Sequence, residues 1–166
     1  MDQIQRKRLP LKIAGILTAI ALSAIVYVVM PGSESAPQGF RGIEWDADIG
    51  KLSGLSMFAE DGDLKFYVRP DDRMKLGDVA LEKLIYGFYK GRFYNVMMYY
   101  SSPDNFSRVQ EVLSRQYGAP YQPTESEKKY FWEDGNVSVL STYDDDSNTG
   151  RISYIFKPIE AEMGGK

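Results

Sequence analysis

A long uncharged run lies near the N-terminus of the chain. Ile13 to Met30 is a stretch of eighteen residues without a charge, and Pro31 and Gly32 follow it. As a helix rising 1.5 Å per residue, such a stretch is about 27 Å long, close to the roughly 30 Å thickness of a bilayer's hydrocarbon core. Backbone amides in lipid must be hydrogen-bonded internally, which requires a helix. The pattern predicts a transmembrane helix over residues 13–30.

The charges around this run predict its orientation. The basic N-terminus, residues 1–12, contains Arg6, Lys7, Arg8 and Lys12, and no basic residue follows the run until Arg41. The positive-inside rule then keeps the N-terminus in the cytoplasm. We therefore expect a single-pass signal anchor in the cytoplasmic (inner) membrane, with lipid as its partner and the C-terminal domain on the periplasmic side.

A cleaved signal peptide is the alternative interpretation of the same segment. The apolar region of such a peptide usually spans about 7–15 residues and ends at an A-x-A-like site. The present run is longer, and its nearest small-residue site, Ser33 to Ser35, matches poorly. The uncleaved anchor is therefore favoured.

Gly15, Ala19 and Ser23 lie four residues apart on one face of the predicted membrane helix. Small residues with this spacing allow two membrane helices to approach closely, so a second copy of the chain is a candidate partner. The alternative is that they belong to the ordinary composition of an apolar export segment.

The rest of the chain divides into three parts. Residues 31–39 carry no large apolar side chain and are expected to form a flexible linker. Residues 40–158 are predicted to form one exported domain, long enough to bury a core. Residues 159–166 end in Gly-Gly-Lys and are expected to be a disordered tail.

Most of the predicted domain has the pattern of strands. Residues 40–45 resemble a first short strand, residues 64–69 alternate and end before Pro70, and the clearest hairpin joins 84–89 to 92–100 across Lys90 and Gly91. A second hairpin pairs residues 136–143 with 151–157 across an Asp-rich turn.

One helix is well defined by its sequence. Ser102 is a suitable N-cap, Pro103 suits the first helical position, and Gly118 ends the segment. Asp46 or Asp48 is suited to cap a second, short helix. The predicted fold class is α+β, with an antiparallel sheet of about five to seven strands, one main helix and one short helix.

The first hairpin is apolar on both sides. Pairing Tyr89 with Arg92 groups Leu84, Tyr86, Phe88, Phe93, Met97 and Tyr99 on one face, and Ile85, Gly87, Tyr89, Tyr94, Val96, Met98 and Tyr100 on the other. A sheet with one wet side alternates apolar and polar residues, so both faces are expected to be covered. Tyrosine is enriched at interfaces, which makes Tyr89, Tyr94, Tyr99 and Tyr100 candidate partner-binding residues. The alternative is that they line the sheet margin with their hydroxyls in water.

Composition excludes several classes of chemistry. The chain has no His and no Cys, which rules out a Ser-His-Asp triad, a cysteine nucleophile, a zinc finger and a disulfide framework. Beyond residue 30 it has 16 basic and 22 acidic residues. An acidic body argues against binding of nucleic acid.

Two acidic clusters are candidate sites, the first for calcium and the second for hydrolysis. Asp144, Asp146 and Asn148 imitate the start of a calcium loop, but Gly150 falls at the seventh place and Ile155 occupies the twelfth, where a glutamate is required. We interpret the tract as a turn, and predict neither a metal nor a cofactor.

The second acidic cluster consists of Glu44, Asp46 and Asp48 around Trp45, and it is the basis for a carboxylate-only hydrolase. Helix capping and an outward strand position explain these carboxylates better, so an enzyme is not predicted.

The sequence thus predicts a membrane-anchored exported interaction domain. We expect it to bind an envelope protein through an aromatic sheet face or a free sheet edge. The alternative function is that of a signal-cleaved, soluble exported protein that binds a small ligand in a pocket between helix and sheet.

Overall fold

The computed structural model of the chain describes residues 38–164. The predicted membrane span over residues 13–30, with Gly15, Ala19 and Ser23, lies outside the described residues. Among residues 38–164, no helix is both long enough and apolar enough to cross a membrane.

A seven-stranded antiparallel sheet organises the described part of the chain. In chain order the strands are β1 (Gly39–Phe40), β2 (Ile43–Glu44), β3 (Ser56–Asp61), β4 (Leu64–Val68), β5 (Lys75–Leu76), β6 (Val79–Ala80), β7 (Lys83–Tyr89), β8 (Arg92–Ser101), β9 (Lys129–Asp134), β10 (Val137–Asp144) and β11 (Thr149–Phe156). The large sheet has the order β3-β4-β7-β8-β11-β10-β9, while β1–β2 and β5–β6 form separate two-stranded hairpins. Two helices, α1 (Pro103–Tyr117) and α2 (Lys157–Gly164), complete the fold. The prediction of an α+β fold on an antiparallel sheet is confirmed.

Helix α1 forms where its capping residues and apolar spacing predict it. The Ser102 hydroxyl accepts a hydrogen bond from the amide of Asn105 at 3.2 Å, and Gly118 follows the helix with a φ of 84°. Val109 and Leu113 lie on the buried side of the helix and are fully covered.

One face of the sheet, which we call the helix-covered face, carries the main core. The side chains on the central strands of this face are at most 3% exposed: Leu84, Tyr86, Phe88, Phe93, Val96, Met98, Tyr100, Ile152 and Tyr154. Helix α1 and the two small hairpins pack over them. Phe40 of β1, for example, has its ring 6.1 Å from that of Tyr86.

The predicted faces of the first hairpin are wrong beyond a β-bulge in β8. Phe88 pairs with Phe93, but Gly87 pairs with Asn95, so Tyr94 is an extra residue in β8. An extra residue shifts the alternation by one and exchanges the faces of everything beyond it. Met97 and Tyr99 therefore lie on the face opposite to the one predicted, and so do Val96, Met98 and Tyr100.

The prediction of a short helix after Asp48 is confirmed as a single turn, whereas the prediction for the C-terminal tail was wrong. The short helix after Asp48 is a single 3-10 turn, Ile49–Lys51, capped by the Asp48 carboxylate, which accepts from the Gly50 amide at 2.7 Å. Residues 159–164, predicted to be disordered, belong to α2. This helix is held in place because Ile159 is fully buried against Tyr89 and Tyr94.

Candidate functional site: the open face of the sheet

The second face of the sheet, which we call the open face, is covered only in part. Among the described elements, α2 is the one that buries side chains against it, at the end of the sheet where Tyr89 and Tyr94 lie. The remaining part carries two rows of side chains that run across five adjacent strands. Their membership follows from the strand register.

The first of these, the apolar row, crosses β7, β8, β11, β10 and β9. It consists of Ile85, Met97, Ser153, Leu140 and Phe131, each paired with the next. Met97, Leu140 and Phe131 are half-buried, whereas Ile85 and Ser153 are each 5% exposed. Half-buried apolar side chains in a continuous row still have surface to lose to a partner.

The second, the basic row, lies two residues further along the same strands. It consists of Lys83, Tyr99, Arg151, Thr142 and Lys129. Its three cations alternate with two polar residues, and none of the three forms an ion pair with another described residue. The Lys83 and Lys129 ammonium groups lie 5.1 Å and 5.4 Å from the ring centroids of Phe58 and Phe131.

The covered end of the open face is fixed by ion pairs. Arg92, at the start of β8, pairs with Asp46 and makes two hydrogen bonds to the Glu162 carboxylate of α2, at 2.8 Å and 3.0 Å. Burial under α2, and to a smaller extent the Glu160 carboxylate, raises the pKa of the Tyr94 hydroxyl. Helix α2 is therefore part of the domain and does not cover the two rows.

The four tyrosines predicted to bind a partner do not form one exposed patch. Tyr89 and Tyr94 are 6% and 8% exposed beneath α2, and Tyr100 is fully buried on the helix-covered face. Tyr99 is the member of the set that stands in the basic row, half-buried, with its hydroxyl 3.8 Å from the Met97 sulfur.

The carboxylates around Trp45 are engaged elsewhere or point outward. Asp48 caps the 3-10 turn, Asp46 pairs with Arg92, and Glu44 is exposed. Trp45 itself is 7% exposed, with its ring stacked 4.7 Å from that of Phe93. This indole is thus a core residue in the described structure.

The Asp-rich tract forms the turn between β10 and β11, as predicted. The Asp144 carboxylate accepts from the Asp146 amide at 2.9 Å, and hydrogen bonds from Ser147 and from these turn amides lower its pKa. No cluster of three metal-binding side chains occurs among residues 38–164.

A buried charge cluster lies on the opposite side of the sheet. Asp72, whose side chain is 6% exposed, pairs with Arg41 and accepts a hydrogen bond from the Tyr86 hydroxyl. Arg41 also donates to the carbonyls of Arg73 and Lys75, at 2.6 Å and 2.7 Å. These contacts fasten the long connection between β4 and β7 to the β1–β2 turn, which gives the cluster a structural role.

The two sheet edges differ in how far they are blocked. At the β9 edge, Tyr121 and Phe131 exchange backbone hydrogen bonds of 2.8 Å and 2.9 Å. All six residues of β3 at the other edge are exposed, and Met57 and Phe58 are 54% and 50% exposed. A bulge between Met57 and Ala59 interrupts the β3 ladder, a common device against unwanted strand pairing.

A groove of about 470 Å³ lies beside the β9 edge. It is lined by Tyr117, Ala119, Tyr121, Pro123, Phe131, Trp132 and Glu133. Between α1 and the sheet, by contrast, Val109, Leu113 and Val139 are fully buried and pack into the core. The alternative function therefore has a candidate ligand site in this groove, and the packed interface between α1 and the sheet does not offer one.

Comparison with known proteins leaves the geometry as the basis for assigning function. No protein-family model, curated protein or solved structure matches this chain. The sequence did not point to Lys83, Lys129, Arg151 or Leu140 as a set, because only the strand register brings them together. The alternation of polar and apolar residues in β10 was the one signal of a half-exposed face.

Proposed function

We propose that the chain is a membrane-anchored exported interaction domain whose open face binds a protein of the cell envelope. The observation that carries this proposal is the apolar row, in which Met97, Leu140 and Phe131 are half-buried, beside a row of cations that form no ion pair with another described residue. In this proposal residues 13–30 hold the domain at the inner membrane, with the N-terminus in the cytoplasm. The domain acts by binding, without chemistry of its own.

The chemistry of the open face supports this role. Protein interfaces typically combine an apolar centre with a polar rim, and burial of apolar surface stabilises a complex by about 25 cal/mol per Å². Met97, Leu140 and Phe131 offer the centre, and the basic row offers one side of the rim. Tyr99 joins the two rows through the contact of its hydroxyl with Met97.

A photo-crosslinking experiment tests the binding surface. A photoreactive phenylalanine analogue replaces Leu140 in the full chain, and in a matched control it replaces Arg108, an exposed residue of α1. We expect a discrete crosslink to one envelope protein from position 140 and none to that protein from position 108. Equal crosslinking from both positions, or none from position 140, would rule out the open face as the binding surface.

The mass of the mature N-terminus tests the anchor. An intact start at Met1 or Asp2 in the membrane fraction is expected for the anchored protein. A start near Ala36 would instead support the soluble alternative, a small-ligand binder. For that alternative, the aromatic groove beside β9 is a candidate binding site, since its volume of about 470 Å³ falls in the usual range for ligand pockets.

A further inference from the structure

We infer that the segment bound by the open face is acidic and amphipathic, with apolar side chains on the apolar row and carboxylates on the basic row. This inference rests on the proposed function and specifies the chemistry of the partner. Three features support it: the charge of the basic row, the spacing of its cations, and the position of α2.

The basic row reverses the charge of the surface around it. The chain beyond residue 30 has 16 basic and 22 acidic residues, yet the row holds Lys83, Arg151 and Lys129 without a carboxylate. Asp144 lies two residues beyond Thr142 of the row, on the same face of β10. Its carboxylate accepts hydrogen bonds from the amides of the β10–β11 turn. A partner that covers these cations without supplying opposite charges would desolvate them at a cost, so the row favours an acidic partner.

The spacing of the cations fits a regular segment. The three residues lie on alternate strands, and because neighbouring strands are about 4.8 Å apart, successive cations are separated by about 10 Å. Carboxylates at positions i and i+7 of a helix are separated by about 10.5 Å and lie on nearly the same face. An amphipathic helix thus provides both the carboxylate spacing and an adjacent apolar stripe.

The position of α2 favours a narrow protein segment over an anionic membrane. Glu160 and Glu162 of α2, and Glu133 of β9, lie beyond the apolar row on the same side of the sheet. A bilayer pressed against the open face would meet these carboxylates as well as the cations. A single segment that lies along the two rows, beside α2, meets the cations alone.

Charge reversal in the full chain tests this inference with the photoreactive residue at position 140. The reversed variant is Lys83→Glu with Lys129→Glu and Arg151→Glu. The conservative variant is Lys83→Arg with Lys129→Arg and Arg151→Lys. A matched control, Lys51→Glu with Arg108→Glu and Arg115→Glu, changes the net charge equally at exposed positions away from the open face.

We expect the reversed variant to lose the crosslink to the envelope protein by about tenfold or more, because like charges then face each other. The conservative variant and the matched control should retain the crosslink within about twofold, since neither changes the sign of the row. Mass spectrometry of the crosslinked peptide should find Asp or Glu residues flanking apolar ones. Should the reversed variant fail to accumulate, the single variant Arg151→Glu decides, with an expected loss of about threefold.

The outcomes separate this inference from the proposed function. A crosslink that survives reversal, or a crosslinked peptide without carboxylates, overturns the acidic partner and leaves the binding surface intact. Crosslinking to lipid, or to a second copy of this chain, likewise overturns it. The absence of any crosslinked protein from position 140 in the unmodified background removes the proposed function as well.

Discussion

The two faces of the sheet differ in how completely their apolar side chains are covered. On the helix-covered face, Tyr86, Met98 and Tyr100 have no exposed surface. On the open face, Met97 of the central strand β8 and Leu140 of β10 stay half-buried. Because both faces are built from the same strands, the difference arises from what packs on them: a fifteen-residue helix and two hairpins on one side, and an eight-residue helix on the other.

This contrast separates residues that maintain the fold from residues available for binding. A side chain without exposed surface contributes its full burial to the stability of the domain. A half-buried one contributes less and retains surface that a partner can cover. Substitutions on the two faces should therefore affect different measurements, and the contrast can be tested with matched pairs.

The largest expected effect comes from truncating the same side chain on each face. Leu113→Ala removes a fully buried leucine of α1 and should lower the free energy of unfolding by about 3–5 kcal/mol. Leu140→Ala on the open face should cost about 1 kcal/mol, because this leucine is half-buried. Chemical denaturation of the two variants measures the difference. Equal losses would mean that the open face is as tightly packed as the core.

The glycines of the two faces provide a second matched pair. A Cβ at Gly150 would lie 2.0 Å from the Tyr100 ring, which is fully buried, whereas one at Gly87 would lie 3.1 Å from the side chain of Asn95. Gly150→Ala should therefore cost about 3 kcal/mol and Gly87→Ala about 1 kcal/mol. The midpoints of urea unfolding test this order. A Gly150→Ala variant as stable as the parent would contradict the close packing of Tyr100.

Ion pairs on the two sides should also differ in strength. Asp72→Asn removes the charge of a side chain that is 6% exposed and breaks its ion pair with Arg41, which should cost about 2 kcal/mol. Glu162→Gln breaks an exposed pair with Arg92 and should cost less than about 1 kcal/mol. Raising the salt concentration should reduce the difference in free energy of unfolding between Glu162→Gln and the parent. The corresponding difference for Asp72→Asn should stay nearly unchanged.

A fourth expected effect, on the pH dependence of stability, belongs to the helix-covered face. Burial raises the pKa of the Tyr100 hydroxyl to about 12, above the ordinary value near 10. Between these pH values the unfolded chain releases this proton while the folded domain keeps it, so stability falls as the pH rises through the interval. The stability of the Tyr100→Phe variant should therefore fall less steeply with pH than that of the parent between pH 10 and 12. Urea unfolding at several pH values measures both slopes. Identical slopes would contradict the prediction.

Local patterns were sufficient to predict part of the fold. Ser102, Pro103 and Gly118 define α1 because capping depends on neighbouring residues alone. Both long hairpins also follow from local runs of strand-forming residues and from turn residues. Strand β3, in contrast, is exposed at every position, so it lacks the alternation that identifies a half-buried strand.

The candidate binding surface could not be predicted, because it depends on contacts distant in the sequence. Lys83 and Lys129 come to lie at the two ends of one row only through the pairing of five strands. The burial of Tyr89 and Tyr94 depends on α2, whose first residues, Lys157 and Pro158, continue directly from β11. A proline in the first turn was a usable signal for that helix.

The extra residue at Tyr94 has a consequence for how this hairpin can diverge in evolution. Loss of the codon for Tyr94 would restore plain alternation and leave Val96, Met98 and Tyr100 facing the core. Loss of a codon beyond Asn95 would instead exchange the two faces of the rest of β8 and turn core residues out. Single-codon deletions in this hairpin should therefore be selected against more strongly along the paired part of β8 than at the bulge.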